Sequence, residues 1–452
     1  MARRVILEVR ADPLEFGLEQ ARRSPRETAA QSSHLKRLSS FLDIDESFPV
    51  FMVPLAPNDH PRIEDRAMRA LPRHNHAIRG EVDENTFDEL IAMTNDPDDD
   101  LDGVYVDLPM LESQGFCPTA PVGGLADVER LLATSRLRSL NMNGNRVLVA
   151  LIDSGVSAKY LHGAGRTNSI FPGFGYPSGV NPDTMPVSHG TMTAFDVSIA
   201  APQATLWDFP IITRVDSDEV LRKYTSDGAQ AYRFMVNAIQ NHGLLSSFKG
   251  LVVNNSWCIY DLSFDMPAGH PANYSSNPNH TFNRAVSELA AAGADIVFAA
   301  GNCGPDCPVT ACTQSGATIY GANSHPEVLC VGAVSTSGHV LGYSATGPGF
   351  LSRVKPDLCA FSHFVGSQVG GEADTGTSTA APVAAGMIAA IRSRIPINTA
   401  DPNTGPAAVR AFLQKKADRF GSPGWPRPDM GWGILDGAAI AAVFEASTGA
   451  GL

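Results

Sequence analysis

The chain has 452 residues, more than one hydrophobic core usually holds, so a large domain and a smaller one are expected. Apolar residues make up 43%, ample for folding, and 47 acidic against 34 basic side chains give a formal net charge of -13. That balance argues against a nucleic-acid partner and against anionic membranes.

Residues up to about 110 carry a pattern of their own. Arg4 to Val9 reads as a strand, Pro13 to Arg23 as a polar helix, Pro49 to Pro54 as a second strand and His76 to Val82 as a third. Asn85 to Met93 is predicted helical, with Phe87, Leu90 and Ile91 on one face, and Gly103 to Leu108 closes the unit as a strand. The order β-α-β-β-α-β describes a small split-βαβ α+β domain with an antiparallel sheet. The acidic run Asn95 to Asp100 lacks the regular ligand spacing of a calcium loop and reads as a solvated turn.

Residues 111–124 are rich in Gly and Pro and read as a linker. Leu125 to Leu140 then forms an amphipathic helix that opens a domain spanning 125–452. Downstream, Val147 to Ile152, Thr205 to Phe209, Leu251 to Asn254, Asp295 to Ala299 and Val328 to Val334 are short apolar runs of the kind covered on both faces. Between and after them lie helical stretches at Thr191 to Ala200, Ala229 to Asn241, Phe282 to Ala292, Ser378 to Arg392 and Ala407 to Lys416. The alternation predicts an α/β fold, a mostly parallel sheet flanked by helices. Ligands of such sheets sit beyond the carboxyl ends of the strands, where Asp153, Ser256 and Asn302 fall.

Three remote segments supply one chemistry. Val149 to Gly155 reads as a buried strand ending in the carboxylate of Asp153, His189 opens a small-residue helix, and Ser378 opens another in Asp374-Thr375-Gly376-Thr377-Ser378-Thr379-Ala380-Ala381-Pro382. A serine hydroxyl is barely ionised at neutral pH, so Ser378 needs a base such as His189, and the resulting imidazolium needs a carboxylate such as Asp153. A helix start aims free N–H groups at the attacked carbonyl oxygen, and Asn302 adds a side-chain donor. Taken singly, Asp153 would be a turn residue, His189 an ordinary helix residue and Ser378 a helix cap. All four stand at element boundaries beside or near glycine, which favours the joint reading.

These residues resemble the subtilisin-like serine proteases, the subtilases, over roughly 125–445. Asp153 in Leu151-Ile152-Asp153-Ser154-Gly155, His189 in His189-Gly190-Thr191 and Ser378 in Gly376-Thr377-Ser378-Thr379-Ala380-Ala381-Pro382 resemble the three catalytic motifs, and Asn302 falls on the oxyanion asparagine. Thr379 stands where methionine is common. Val252 to Trp257 is similar to the strand lining the specificity pocket, and Lys355-Pro356-Asp357-Leu358 and Gly431 to Asp436 are similar to C-terminal landmarks. The resemblance implies a serine endopeptidase that hydrolyses peptide bonds through an acyl-enzyme and needs no cofactor for its chemistry. Structural calcium is common in the family, although no residue set here is assigned to it. The implied partner is a peptide or protein substrate, paired with strand edges near Ser256, Trp257 and Cys258 and near Trp207 to Ile211. Ala299, Ala300 and Gly301 would wall the first pocket, so an apolar side chain before the scissile bond is expected. Trp257 and Cys258 replace smaller residues there.

The region 1–110 resembles the family's propeptide in pattern. It would then act as an intramolecular inhibitor, with self-cleavage after about Leu108 to Glu112, near Met110; a regulatory domain that is never processed is the rival. The seven cysteines are an odd set, and Cys303-x3-Cys307-x4-Cys312 fits a disulfide, a bound metal or reduced thiols alike. The start Met1-Ala2-Arg3-Arg4 is followed by an alternating stretch rather than a signal-peptide core. The expectation is a cytoplasmic chain, or a secreted one whose signal has been removed, with no apolar run long enough to span a bilayer. Two other classes compete: another serine hydrolase, disfavoured because no Gly-x-Ser-x-Gly nucleophile elbow is present, and a peptide-binding scaffold without catalysis, disfavoured by the intact set of four side chains.

Overall fold

The computed structural model describes residues 2–11, 24–55, 74–94, 96, 98–112, 117, 119–171, 185–212, 223–421 and 423–446. By internal contacts the chain forms two compact units. The smaller takes residues 1–108 together with 224–234 and 262–288, and the larger takes the rest. Periodicity along a chain reports local order and is blind to which remote segments join it, so the two downstream segments of the small unit were not foreseeable.

In the small unit, β1 (Arg3–Arg10) is followed by α1 (Pro25–Ala29), α2 (Ser33–Arg37), β2 (Leu42–Ile44), β3 (Phe51–Pro54), β4 (His74–Val82), α3 (Glu84–Met93) and β5 (Leu101–Val106). The expected helix at Pro13 to Arg23 lies outside the described residues. All pairings are antiparallel, in the order β2-β4-β1-β5 with β3 also on β4. Val5, Ile6, Leu7 and Val9 of the central strand are buried, and Phe87 and Leu90 of α3 join the core. The acidic loop after α3 is not simply solvated. Asp99 is buried and accepts bonds from Ser32 Oγ (2.6 Å), Ser33 N (2.8 Å) and His34 N (3.2 Å), so it caps the start of α2. Burial opposes its charge, yet the hydroxyls of Ser32 and Ser33 outweigh that and hold its carboxyl well below the usual range. Residues 262–288 enter through a buried ion pair. Glu8 accepts both from Arg284 Nη2 (2.6 and 2.5 Å) and from Thr281 Oγ1 (2.6 Å).

The remaining elements are β6 (Pro109–Glu112), α4 (Leu125–Leu131), α5 (Thr134–Ser139), β7 (Val147–Ile152), α6 (Ala158–Gly163), α7 (His189–Ala200), β8 (Thr205–Phe209), β9 (Lys223–Tyr224), α8 (Thr225–His242), α9 (Leu244–Ser247), β10 (Gly250–Asn255), β11 (Trp257–Cys258), α10 (Thr281–Ala291), β12 (Asp295–Ala299), β13 (Leu329–Val334), β14 (Leu358–Phe361), α11 (Thr377–Arg392), α12 (Pro406–Lys416) and α13 (Gly437–Ala446). The large unit is built on a six-stranded parallel sheet ordered β14-β13-β12-β10-β7-β8. Its inner strands are buried along their whole length, which is why they read as unbroken apolar runs. The chain starts in β7, steps outward to β8, then returns to build β10, β12, β13 and β14 on the other side. The reversal places a crevice at the carboxyl ends of β7 and β10.

Two departures from expectation concern turns. The helix expected over Leu125 to Leu140 is two helices, because Ala133 adopts a left-handed conformation at φ 51° and ends the first. The Gly/Pro-rich stretch from 111 to 124 is anchored: it begins inside β6, Val122 N donates to His363 O (2.8 Å), and Leu125 N beyond it donates to Val365 O (2.9 Å). Glycine and proline mark a break in periodicity without revealing such backbone pairings.

Helices α7 and α11 pack in the core, and backbone contact sets their separation. A Cβ on Gly386 of α11 would stand 2.4 Å from Val197 O of α7. Arg392 at the end of α11 is fully buried and forms a two-pronged pair with Asp295, at 2.6 and 2.8 Å. Asp196 of α7 is also fully buried, and among the described residues no hydrogen bond within ordinary limits reaches either oxygen. Burial first, and the neighbouring Asp374 carboxylate second, push its carboxyl well above the usual range, with Arg166 opposing weakly. Asp374 is itself shifted upward by burial.

Two outcomes follow from these buried charges. Arg392→Leu strands the Asp295 carboxylate and is expected to destabilise the fold by about 3–5 kcal/mol, with much of the loss recovered in the Arg392→Leu/Asp295→Leu pair, measured by denaturant unfolding. For Asp196 the folded-state pKa exceeds the unfolded one, so its stabilising contribution is complete below the unfolded value and declines as pH rises through the folded value. Asp196→Asn removes that decline. Its melting temperature relative to wild type should therefore rise from pH 4 to pH 8, and parallel melting curves across that range would refute the assignment.

Candidate active site

Asp153 directly follows β7, so the strand delivers a carboxylate to the crevice. It is buried, and its Oδ1 accepts from His189 Nδ1 at 2.8 Å and from Ser154 N at 2.7 Å. Thr193 Oγ1, one turn along α7, reaches Oδ2 at 3.4 Å. A carboxylate acceptor at Nδ1 places the ring proton there and turns Nε2 away from Asp153. His189 is the first residue of α7, and the start of that helix is pinned where Gly190 N donates to Ser154 Oγ at 3.0 Å. Only glycine fits at 190, since a Cβ would meet Gly155 O at 2.5 Å.

Ser378 is the second residue of α11 and is buried. Pro382 sits one turn later and has no N–H, so the carbonyl of Ser378 lacks its usual helical donor. Ser256, just beyond β10, fills the gap with Oγ 2.9 Å from Ser378 O. The start of α11 is also tied to the loop after β12. Asn302 Oδ1 accepts from Thr377 N and from Thr377 Oγ1, both at 2.9 Å, while Gly301 N donates to Thr377 Oγ1 at 3.0 Å. With its oxygen committed to Thr377, the Asn302 amide must turn its Nδ2 donors elsewhere. One reaches the Tyr260 hydroxyl at 3.4 Å.

The wall expected at Ala299, Ala300 and Gly301 is held by Asn323, whose Nδ2 donates to Ala299 O and to Trp257 O, both at 2.9 Å. Trp257 is buried with its ring edge-on to Phe298. Cys258 lies beside Gly301, where a Cβ would stand 3.3 Å from its Sγ, and it clusters with Tyr260 and Cys303. Against β11 runs β6, antiparallel, with Glu112 opposite Trp257 and Leu111 opposite Cys258. Leu111 packs on the Cys258, Tyr260 and Cys303 cluster, and Tyr260 Oη donates to Glu112 O at 3.3 Å. Glu112, Asp153 and His189 bring ligand-capable atoms within 4.8 Å of one another.

One expectation is corrected: Trp207, expected beside the substrate, is fully buried, with its ring against Phe171 and Phe209. Of the readings open for the cysteine run, the disulfide holds: Cys303 is bonded to Cys312, and Cys307 is bonded to Cys117, 190 residues away. Cys330 and Cys359 are buried thiols pushed above their ordinary values by that burial. Sequence reasoning did not reach Thr377 as the partner of Asn302, nor Tyr260 and Asn323, whose bonds cross 24 to 148 positions.

Comparison with known proteins follows the same lines. The profile of the Subtilase family of peptidases matches residues 144–433. Over 337 residues the chain is 27% identical to the membrane-bound transcription factor site-1 protease of Mus musculus, covering 68% of this chain and 26% of that protein. Serine protease AprX of Bacillus subtilis (strain 168) is 24% identical over 316 residues, covering 62% of this chain and 63% of AprX. The chain thus spans less than two thirds of the length of these relatives. The solved structure of MycP1 from the ESX-1 type VII secretion system superposes with a TM-score of 0.49 at 19% identity, covering 76% of this chain and 94% of MycP1. With a parallel sheet and its flanking helices carrying an aspartate, a histidine, an asparagine and a serine in one unit, and a family profile spanning most of that unit, the chain belongs to the subtilase family.

Proposed function

We propose that this protein is a serine endopeptidase in which Ser378 is the nucleophile, His189 the general base, Asp153 the carboxylate that orients it and Asn302 the side-chain donor of the oxyanion hole. The observation that carries this reading is the buried 2.8 Å bond from His189 Nδ1 to Asp153, which fixes the tautomer a base at Nε2 requires. As Ser378 Oγ attacks the substrate carbonyl, its proton passes to His189 Nε2 and Asp153 stabilises the imidazolium. Negative charge builds on the carbonyl oxygen, to be met by Asn302 Nδ2 and the N–H of Ser378 at the start of α11. Collapse of the tetrahedral centre breaks the C–N bond, with the Nε2 proton leaving on the amine. Water, deprotonated by the same histidine, then releases the acyl group. No cofactor enters these steps; calcium, where bound, would be structural.

The strand Pro109–Glu112 supports a further part of the reading. Its antiparallel pairing with β11 is the pairing an extended substrate would make, and we place residues 1–110 as an intramolecular inhibitor with β6 standing in the substrate's position. Met110 is buried in the middle of that strand, so processing is assigned at or just beyond Glu112 rather than at Met110. Leu111 against Cys258 and Tyr260 supports a preference for apolar side chains in the neighbouring substrate position. Disulfides persist where thiols are not kept reduced, so the two bonds favour an oxidising working environment over the cytoplasm. No described helix is long and apolar enough to cross a membrane.

Three measurements test the assignment. A fluorophosphonate probe is expected to label wild type at Ser378 and not Ser378→Ala, and Asp153→Asn should lower kcat on a peptide substrate by about 10⁴-fold. Asn302→Ala should cost about 10²–10³-fold in kcat, a magnitude established on a subtilisin asparagine and carried over to this residue. Intact mass of wild type should reveal a cut at or just beyond Glu112 that is missing in Ser378→Ala. Equal labelling of both proteins would refute the nucleophile.

A further inference from the structure

Tyr260 occupies a position that none of the chemistry above requires. Its hydroxyl accepts from Asn302 Nδ2 at 3.4 Å and donates to the carbonyl of Glu112 at 3.3 Å. The three groups form a chain in one direction: amide N–H to phenol oxygen, phenol O–H to the peptide carbonyl of the strand lying along β11. Tyr260 is only 3% exposed, and its ring packs with Cys258 and Cys303, so the hydroxyl is directed at that carbonyl from a closely packed base. Its backbone is fixed as well, with Thr313 N donating to Tyr260 O at 3.3 Å. The Cys303–Cys312 bond closes the loop on which Val309 N returns to Asn302 O at 3.0 Å, so Asn302 and the wall behind Tyr260 are held by one short ring.

We propose that Tyr260 is a substrate-binding residue of this site. It donates a hydrogen bond to the main-chain carbonyl of the peptide segment that occupies the place of Glu112, and through the same oxygen it orients the Asn302 amide. The inference rests on the endopeptidase reading of the previous subsection. Two physical consequences follow. A phenol that is already accepting a hydrogen bond is a stronger donor, so the contact to the carbonyl is reinforced by Asn302. Removing the hydroxyl also frees the Asn302 amide to rotate on its Nδ2 side, so the two residues should not act independently.

The test is a kinetic cycle on the full chain with a chromogenic peptide amide. Tyr260→Phe, which keeps the ring and removes only the hydroxyl, is expected to lower kcat/KM by about five- to ten-fold. The cost should be smaller, though not absent, when Tyr260→Phe is added to Asn302→Ala, because the coupling is already lost while the direct bond to the carbonyl remains. Incorporation of 3,5-difluorotyrosine at 260, a stronger donor of nearly the same shape, should retain or raise the rate at a pH where the phenol stays protonated, an outcome that a purely packing role would not produce. Tyr260→Phe within two-fold of wild type, or an equal loss in both backgrounds, or a marked loss with the fluorinated residue, would overturn the proposal. Fluorophosphonate labelling of Ser378 separates the two levels. Labelled wild type with an indifferent Tyr260→Phe removes Tyr260 alone, while unlabelled wild type overturns both this role and the endopeptidase reading.

Discussion

Contact between the backbones of α7 and α11 is the constraint on which the rest of the large unit depends. Both helices carry small residues where they meet, and Gly386 lets α11 come against Val197 O at a distance no side chain would tolerate. His189 opens one helix and Ser378 opens the other, so the separation of the two side chains is set by rigid, buried elements rather than by loops. The sheet supplies the other half of the geometry by delivering Asp153, Ser256 and Asn302 from the ends of β7, β10 and β12.

The start of α11 illustrates how one sequence feature requires another far away. Pro382 is a poor interior helix residue because it cannot donate to the carbonyl one turn back. The cost is offset by Ser256, whose hydroxyl takes over that role and thereby ties β10 to the helix carrying Ser378. Thr377 performs the matching task on the other side by giving both its N–H and its hydroxyl to Asn302. The orientation of the Asn302 amide is thus set by Thr377, next to Ser378.

Asp153, His189, Asn302 and Ser378 stood out in the sequence because each lies at or just past the end of a strand or at the start of a helix, where periodicity changes and glycine clusters. The parallel sheet was legible because its strands are apolar on both faces, and the antiparallel one because its strand-like and helical stretches read in a β-α-β-β-α-β order along the sequence. Short elements such as α1, α2 and β14 escaped, since four or five residues carry no period. The group behind Asn302 escaped for a different reason: Tyr260 and Asn323 act through single hydrogen bonds to distant residues, and a lone tyrosine or asparagine in a loop has no distinctive context. Trp207 misled because an aromatic residue in an apolar strand reads the same whether it faces a cleft or a core. Cys117 carried no signal for its partner, because residues 118–306 intervene before Cys307.

That last bond has a thermodynamic reach beyond the loop it touches. Asp153, His189 and Asn302 all lie between Cys117 and Cys307, and Ser378 lies outside. While the bond is intact, an unfolded molecule keeps the first three in one covalent ring, which in a chain-entropy treatment raises the free energy of the denatured ensemble by about 5 kcal/mol. Ser378, by contrast, sits in a segment outside that ring, whose return to the other three carries its own loop-closure cost.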